Sequence, residues 1–283
     1  MKRNLALGLR SAALQRGFSH NERHTLSFNR SLEVAQKRSL SLRSVEIESL
    51  LSRVIPERYS RNIPAIGIEG QIKLLKSQVT IVGVGGLGGT VLEHLVRLGV
   101  GKIRVIDGDD FIDSNLNRQI LCNCRNLGKS KVLEAKRRVK RVNPAVEVRC
   151  FDFAANKGNL IGLIQNSHVV VDGLDDIQVR FVLEEACQQS NVPFVHAAVA
   201  GFVGQVTTIF PDDVGLKRIY GAGRHSKRGI EKQLGIISIT PAIVAAIQVS
   251  EVIKVLLGWP GILQNRLLFV DLQKPLMEII ELT

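Results

Sequence analysis

Aromatic residues are scarce, at 5% of 283 residues, with one Trp and two Tyr. The core that a 45% hydrophobic fraction can build is therefore aliphatic, mostly Val, Ile, Leu and Ala. That composition suits a parallel sheet buried on both faces. Scarce aromatics also remove the stacking platforms that single-stranded nucleic acid needs. Cysteine is nearly as rare: Cys122, Cys124, Cys150 and Cys187. So few in so long a chain do not make a disulfide framework, and the only close pair is CxC, which does not make a four-ligand zinc site. They point to a reducing compartment, and so to the cytoplasm. No long hydrophobic run is unbroken either. The most apolar stretch, residues 236–257, is interrupted by Gln248, Glu251 and Lys254, so no segment reads as membrane-spanning. Internal repeats are absent.

Acidic residues are thin at the amino end. The net charge is +12, and residues 1–60 hold half of it, with 11 Lys+Arg against 5 Asp+Glu. Residues 1–43 are rich in Arg, Ser and Leu and have only Glu22 and Glu33 as acids. Two readings stand: a disordered basic tail, or a transit peptide for organellar import. Residues 44–78 read as a helical segment. Ser44 is placed to cap a helix to Val54, and a second helix runs from Glu69 to Lys76. Residues 79–283 then read as one nucleotide-binding domain.

In that domain the pattern alternates between strand and helix. Val79–Val84 is a continuous apolar strand. A helix follows with Leu92, Leu95 and Leu98 in register, stopped by Gly99. Strands are expected at Lys102–Ile106, Val146–Cys150, His168–Val171 and Pro193–Ala197, with helices at Ser130–Val142 and Val179–Gln189. The spacing predicts an α/β fold, a Rossmann-like, doubly wound and mainly parallel sheet. Gln205–Phe210, Leu267–Leu272 and Met277–Leu282 read as strands of a C-terminal antiparallel extension. A helix starts at Thr240-Pro241. The polar stretch Asp212–Gln233 is long for an internal loop, as functional covers are.

Gly83, Gly85 and Gly88 form GxGxxG between a strand and a helix, the spacing that brings backbone amides and a helix N-terminus to a phosphate. Asp107, 19 residues past Gly88, ends the next strand, where a carboxylate can grip a ribose hydroxyl. These features alone allow NAD, FAD or ATP. Arg118 and Lys131 fall beside the same crevice, and a triphosphate needs such cations where a pyrophosphate bridge does not. Asp175 and Asp176 follow a strand at its carboxyl end, where a carboxylate can hold Mg²⁺ on phosphates.

The run RYSRN…IVGVGGLGG…VIDGDDFIDSNLNRQIL…GKSK…DGLDD, over residues 58–282, resembles the family of ThiF, MoeB and HesA. This family includes the adenylation half of ubiquitin-activating enzymes. The resemblance implies that Gly86 lies under ATP, Asp107 binds its ribose, and Asn115, Arg118 and Lys131 meet its phosphates. Asp109 and Ser114 stand in the same matched run and count with the nucleotide site. Asp175 would be the magnesium or pocket acid. Arg61 matches an arginine that reaches the γ-phosphate of a partner subunit, which implies a homodimer.

The implied reaction is attack of a carboxylate on the α-phosphorus of ATP, with loss of pyrophosphate. The carboxylate would end the tail of a ubiquitin-like sulfur-carrier protein, as in molybdopterin or thiamin synthesis. An alternative is adenylation of the threonylcarbamoyl carboxylate of a tRNA, with which the basic charge is compatible. A relic scaffold and an NAD oxidoreductase fit less well, the first because the charged site residues are intact and the second for want of a proton donor. Two departures from the family matter. No cysteine follows Cys187, so the paired CxxC motifs that bind zinc are missing, and no zinc is expected. Residues 211–240 also lack an acceptor cysteine, so no enzyme thioester is expected. Cys122 and Cys124 read either as small local side chains or as a redox or acceptor pair. His168 and His196, in apolar strands, read as hydrogen-bonded core histidines.

Overall fold

The computed structural model describes residues 14–16, 23–221 and 229–282. Part of the expected Asp212–Gln233 loop, residues 222–228, lies outside them, as does most of the basic stretch before Arg23. Chain order begins with β1 (Leu14–Arg16), β2 (Arg23–Leu26), α1 (Phe28–Arg38), α2 (Leu42–Leu51), β3 (Ile55–Pro56) and α3 (Ile63–Lys76). A helix over residues 28–38 departs from the expected basic tail. Ser27 caps it, Lys37 and Arg38 sit in its last turn, and Ala35 is buried with Leu26, Val45 and Val54. Its basic composition hides an amphipathic helix whose cations suit its C-terminal end. The cap of α2 also shifts: Ser41 Oγ accepts from the Ser44 amide at 3.1 Å, so Ser44 lies inside the helix. The helix expected from Glu69 is the second of two pieces, hinged at Gly67 with φ 70°.

The chain then runs through β4 (Gln78–Val82), α4 (Gly86–Leu98), β5 (Lys102–Ile106), α5 (Lys131–Val142) and β6 (Glu147–Phe151). It continues through α6 (Leu160–Ile164), β7 (Val169–Asp172), α7 (Ile177–Gln189), β8 (Phe194–Ala200) and β9 (Val203–Ile209). Two short helices, α8 (Lys217–Tyr220) and α9 (Glu231–Leu234), precede α10 (Ile239–Leu257), β10 (Arg266–Asp271) and β11 (Leu276–Glu281). One eight-stranded sheet has the order β11-β10-β9-β8-β7-β4-β5-β6. Strands β8, β7, β4, β5 and β6 pair in parallel, while β9, β10 and β11 are antiparallel. This is the expected doubly wound α/β sheet with its antiparallel extension.

The topology places the site. From β4 the chain winds outward to β6, then returns to β7 on the other side of β4. The carboxyl ends of β4 and β7 therefore lie side by side, with Val82 opposite Asp172. Crevices at such a switch point are where open α/β sheets hold ligands. Helix α10 backs this region. It is long and apolar enough by composition to cross a bilayer, with a mean hydropathy of 1.7, and it packs on α4, β8 and β9. Its polar residues are used inside the protein. Gln248 donates to Asp172 O at 2.8 Å and Val195 O at 3.0 Å, and Glu251 accepts from Thr208 Oγ1 at 2.7 Å.

A buried polar knot ties the amino-terminal segment to the sheet domain. Tyr59 donates to Glu46 Oε2 at 3.0 Å and accepts from Asn143 Nδ2 at 2.9 Å. Arg58 lies 3.3 Å from Glu46 Oε1 and donates to Asn143 Oδ1 at 2.5 Å. Burial pushes the Glu46 carboxyl from 4.5 up to about 7, against the pull of Arg58. A carboxyl raised in the folded state favours folding below its unfolded value and loses that contribution as pH rises through the folded one. The stability difference between wild type and Glu46→Gln should therefore fall as pH goes from about 4.5 to 7, by up to about 3 kcal/mol. Urea unfolding of both proteins across that range measures it. A pH-independent difference would mean the carboxyl ionises normally.

Candidate active site

Strand β4 stops at Val82, two residues before its apolar run ends, because Gly83 turns the chain with φ +87°. The turn is crowded. A Cβ on Gly88 would lie 1.9 Å from the Gly83 carbonyl oxygen, and one on Gly173 would lie 2.3 Å from it. Glycine at these positions lets α4 and the turn after β7 close on the first turn. Gly85 is the N-cap of α4 and supplies no side-chain cap, so the helix's first amides stay available to an anion.

A cavity of about 270 Å³ opens at this point. Gly83, Gly85 and Gly86 line it with Asp107, Asp109, Arg118, Lys131, Asp175 and Asp176. A second hollow of about 680 Å³ adjoins it and is lined by Ser114, Asn115 and Lys232. The two share Asp109, Arg118, Gln119, Lys131, Asp175, Glu231 and Ile236. Gly88 packs beneath the cavity and does not face it.

Asp107 is held before any ligand arrives. Its Oδ2 accepts from Val84 N at 2.7 Å and its Oδ1 from Asp109 N at 2.9 Å. Burial raises its pKa, while nearby Lys131 and the two amides oppose the rise. Each oxygen keeps a lone pair for a ribose hydroxyl. Lys131 is buried, and its Nζ lies 2.8 Å from Asp109 Oδ2. Arg118 donates to Ser114 O at 2.8 Å and Asn117 Oδ1 at 2.9 Å. Asn115 Oδ1 accepts from Ile112 N at 3.1 Å, so its side chain builds the turn that carries Arg118.

The two carboxylates after β7 divide their work. Asp176 caps α7, accepting from Gln178 N at 2.8 Å and Val179 N at 3.2 Å. Both amides meet its Oδ1, and Asp176 also lines the nucleotide cavity, so the cap and the expected place at the site coexist. The Asp175 carboxylate accepts no hydrogen bond among the described residues and lines both hollows. No group of three or more His, Cys, Asp or Glu gathers among the described residues. A single carboxylate beside a phosphate cavity suits Mg²⁺, which takes its other ligands from phosphates and water. Arg61 lines neither hollow of its own chain.

Sequence reasoning missed one group entirely. Arg180, buried on α7, lines the nucleotide cavity and lies 3.2 Å from the buried Asp172. His196 is a buried core histidine, and its Nδ1 meets Asp172 Oδ2 at 2.6 Å. An arginine four residues after the Asp176 cap, among Ile177 and Leu183, was the available signal.

Comparison with known proteins gives the family. The ThiF family profile matches residues 59–283. The chain belongs to the ThiF family. It is similar to the SAMP-activating enzyme E1 of Haloferax volcanii, 35% identical over 76% of this chain and 81% of that protein. It is also similar to the sulfur carrier protein adenylyltransferase of Thermus thermophilus, 31% identical over 76% and 83%. Against several other curated relatives it spans only 49% to 60% of their length. A solved structure of E. coli MccB with ATP shares the fold, with a TM-score of 0.70, 21% identity, and coverage of 80% of this chain and 71% of that one.

The glycine turn separates two kinds of defect. Gly88→Ala and Gly173→Ala force a methyl into backbone and should destabilise the fold, seen as a lowered Tm. Gly86→Ala meets only ordinary contacts, at 3.5 Å or more, yet it points into the cavity's wall. It should keep its Tm within a few degrees and lose about tenfold in ATP affinity by calorimetry. Unchanged ATP affinity would place the nucleotide elsewhere.

Proposed function

We propose that this ThiF-family chain is an ATP-dependent adenylyltransferase that activates the C-terminal carboxylate of a ubiquitin-like sulfur-carrier protein, of the molybdopterin or thiamin type. One observation carries the reading. The glycine-loop cavity opens into a second hollow, and Arg118, Lys131 and Asp175 stand on the shared wall. A nucleotide seated on the glycine turn and Asp107 would present its phosphates to that wall, and a second reactant can approach from the other side. The names of the relatives, an activating E1 and a sulfur-carrier adenylyltransferase, agree with this.

The chemistry asks little of the protein beyond placement. An α-carboxyl has a pKa of roughly 3.5, so at neutral pH it is already the nucleophile. Its oxygen attacks the α-phosphorus, the bond to the bridging oxygen breaks, and pyrophosphate leaves with that electron pair. Lys131 and Arg118 would neutralise the charge that moves onto the phosphates. Asp107 and the glycine turn would fix the nucleoside end. Magnesium, held by Asp175 and the phosphates, would supply further charge neutralisation.

The same reading carries three further proposals. Arg61 acts in trans in a homodimer. No structural zinc is needed, and no enzyme thioester forms. Burial raises the pKa of the Cys122 and Cys187 thiols, and that of Cys150 to about 11, which makes them poor nucleophiles. A reducing, cytoplasmic location is a fourth proposal, supported by four cysteines with no disulfide between them.

ATP–pyrophosphate exchange tests the core of this. It should appear with a carrier ending in a free carboxylate and vanish when that carboxylate is amidated. Exchange with the amidated carrier, or only with tRNA, would overturn the assignment. Mixing Arg61→Ala with Asp175→Asn subunits should restore one working site per heterodimer. If proven exchange of subunits restores nothing, Arg61 does not act in trans.

A further inference from the structure

Arg180 enters none of the steps above, although it is a buried cation on the cavity wall. Its fork joins three elements. Nη2 donates to Leu174 O at 2.5 Å, in the turn that carries Asp175. Nη1 donates to the Tyr220 hydroxyl at 3.3 Å, at the end of α8. Nε faces Asp172 Oδ2 at 3.2 Å, at the end of β7. The partners also bond to one another. Asp172 meets His196 Nδ1, and His196 Nε2 lies 3.2 Å from the Tyr220 hydroxyl, which accepts from Gln205 Nε2 at 3.1 Å.

One assignment of protons fits the hydrogen bonds of this ring, with Arg180 Nε paired to Asp172 by charge alone. Burial lowers the His196 pKa, which keeps the ring neutral. Nδ1–H then donates to Asp172, Nε2 accepts from the Tyr220 O–H, and the tyrosine oxygen accepts from Arg180 and Gln205. Buried networks of this kind hold their members in place. Outside the ring stands Asp175, one residue past Leu174, with its carboxylate accepting no hydrogen bond among the described residues. Arg180 is also the buried cation whose charge reaches Asp175.

We propose that Arg180 is a positioning residue: through Leu174 O it holds the Asp175 carboxylate where a magnesium nucleotide needs it, and through Tyr220 it ties that turn to α8. This deepens the adenylylation reading and rests on it. Lysine at position 180 would keep the charge facing Asp172 but lose the fork, so the turn would be released while the charge stayed paired.

Calorimetry of ATP binding across a magnesium titration, with pyrophosphate exchange beside it, tests this on Arg180→Lys. Binding of metal-free ATP should stay within about twofold of wild type. The magnesium concentration for half-maximal ATP binding should rise about tenfold or more. Exchange should lose kcat about a hundredfold with KM for ATP within threefold. Adding Asp175→Asn to Arg180→Lys should cost little more than Asp175→Asn alone, since both act through one carboxylate. A magnesium midpoint within twofold of wild type, or losses that simply add, would overturn the proposal. If Arg180→Lys does not fold, Tyr220→Phe decides, because it removes one arm and leaves the Leu174 bond. It should shift the midpoint the same way by about threefold, and no shift overturns the proposal. A wild-type chain that binds no ATP at all would instead refute the nucleotide-site reading.

Discussion

The approach of three glycine backbones at the end of β4 is the constraint on which the rest of the structure depends. The Gly83 carbonyl lies where a Cβ on Gly88 or Gly173 would have to be. Helix α4 can therefore start directly after the turn, and the turn after β7 can lie against it. From that contact follow the pairing of Val82 with Asp172, the cavity above it, and the positions of Asp107 and Asp175 on its two sides. A methyl group at either position would separate the strand ends that form the site.

Charge is the second constraint, and it is managed by pairing. A buried cation without a partner is costly, so the protein gives Lys131 the carboxylate of Asp109 and Arg180 that of Asp172. The two pairs differ in a useful way. Asp109 is largely exposed, so its hold on Lys131 is open to competition from a phosphate. Asp172 is fully buried and locked by His196, so Arg180 stays where it is. One cation is thus available to a ligand and the other to the scaffold, although both line the same cavity.

Most of the fold was legible because its signals are local. The apolar strands, the GxGxxG spacing, Gly99 as the stop of α4 and the helical pattern of residues 130–142 all lie within a few residues of what they specify. The failures have physical causes. Ser41 and Ser44 are both good caps, three residues apart, and local sequence does not choose between them. The helix over residues 28–38 is stabilised by Val45 and Val54, which the composition of residues 1–43 does not contain. Asp175 and Asp176 are chemically identical neighbours that both line the cavity, and only the start of α7 shows which of them also caps the helix. Asp172, Arg180, His196 and Tyr220 are spread over 48 residues and meet only once β7, α7, β8 and α8 are packed.

The family places this chain among adenylyltransferases, and the proposed reaction names the bond that would break. In the proposed reaction Asp107 and the glycine turn would hold one end of the nucleotide, the cations and Asp175 with magnesium would hold the other, and the carboxylate would approach the α-phosphorus between them. The most direct test is the identity of the products, followed by ³¹P NMR with carrier protein, Mg·ATP and hydroxylamine to trap the activated carboxylate. The account predicts AMP and pyrophosphate in step with carrier hydroxamate. ADP and inorganic phosphate as the products would contradict it.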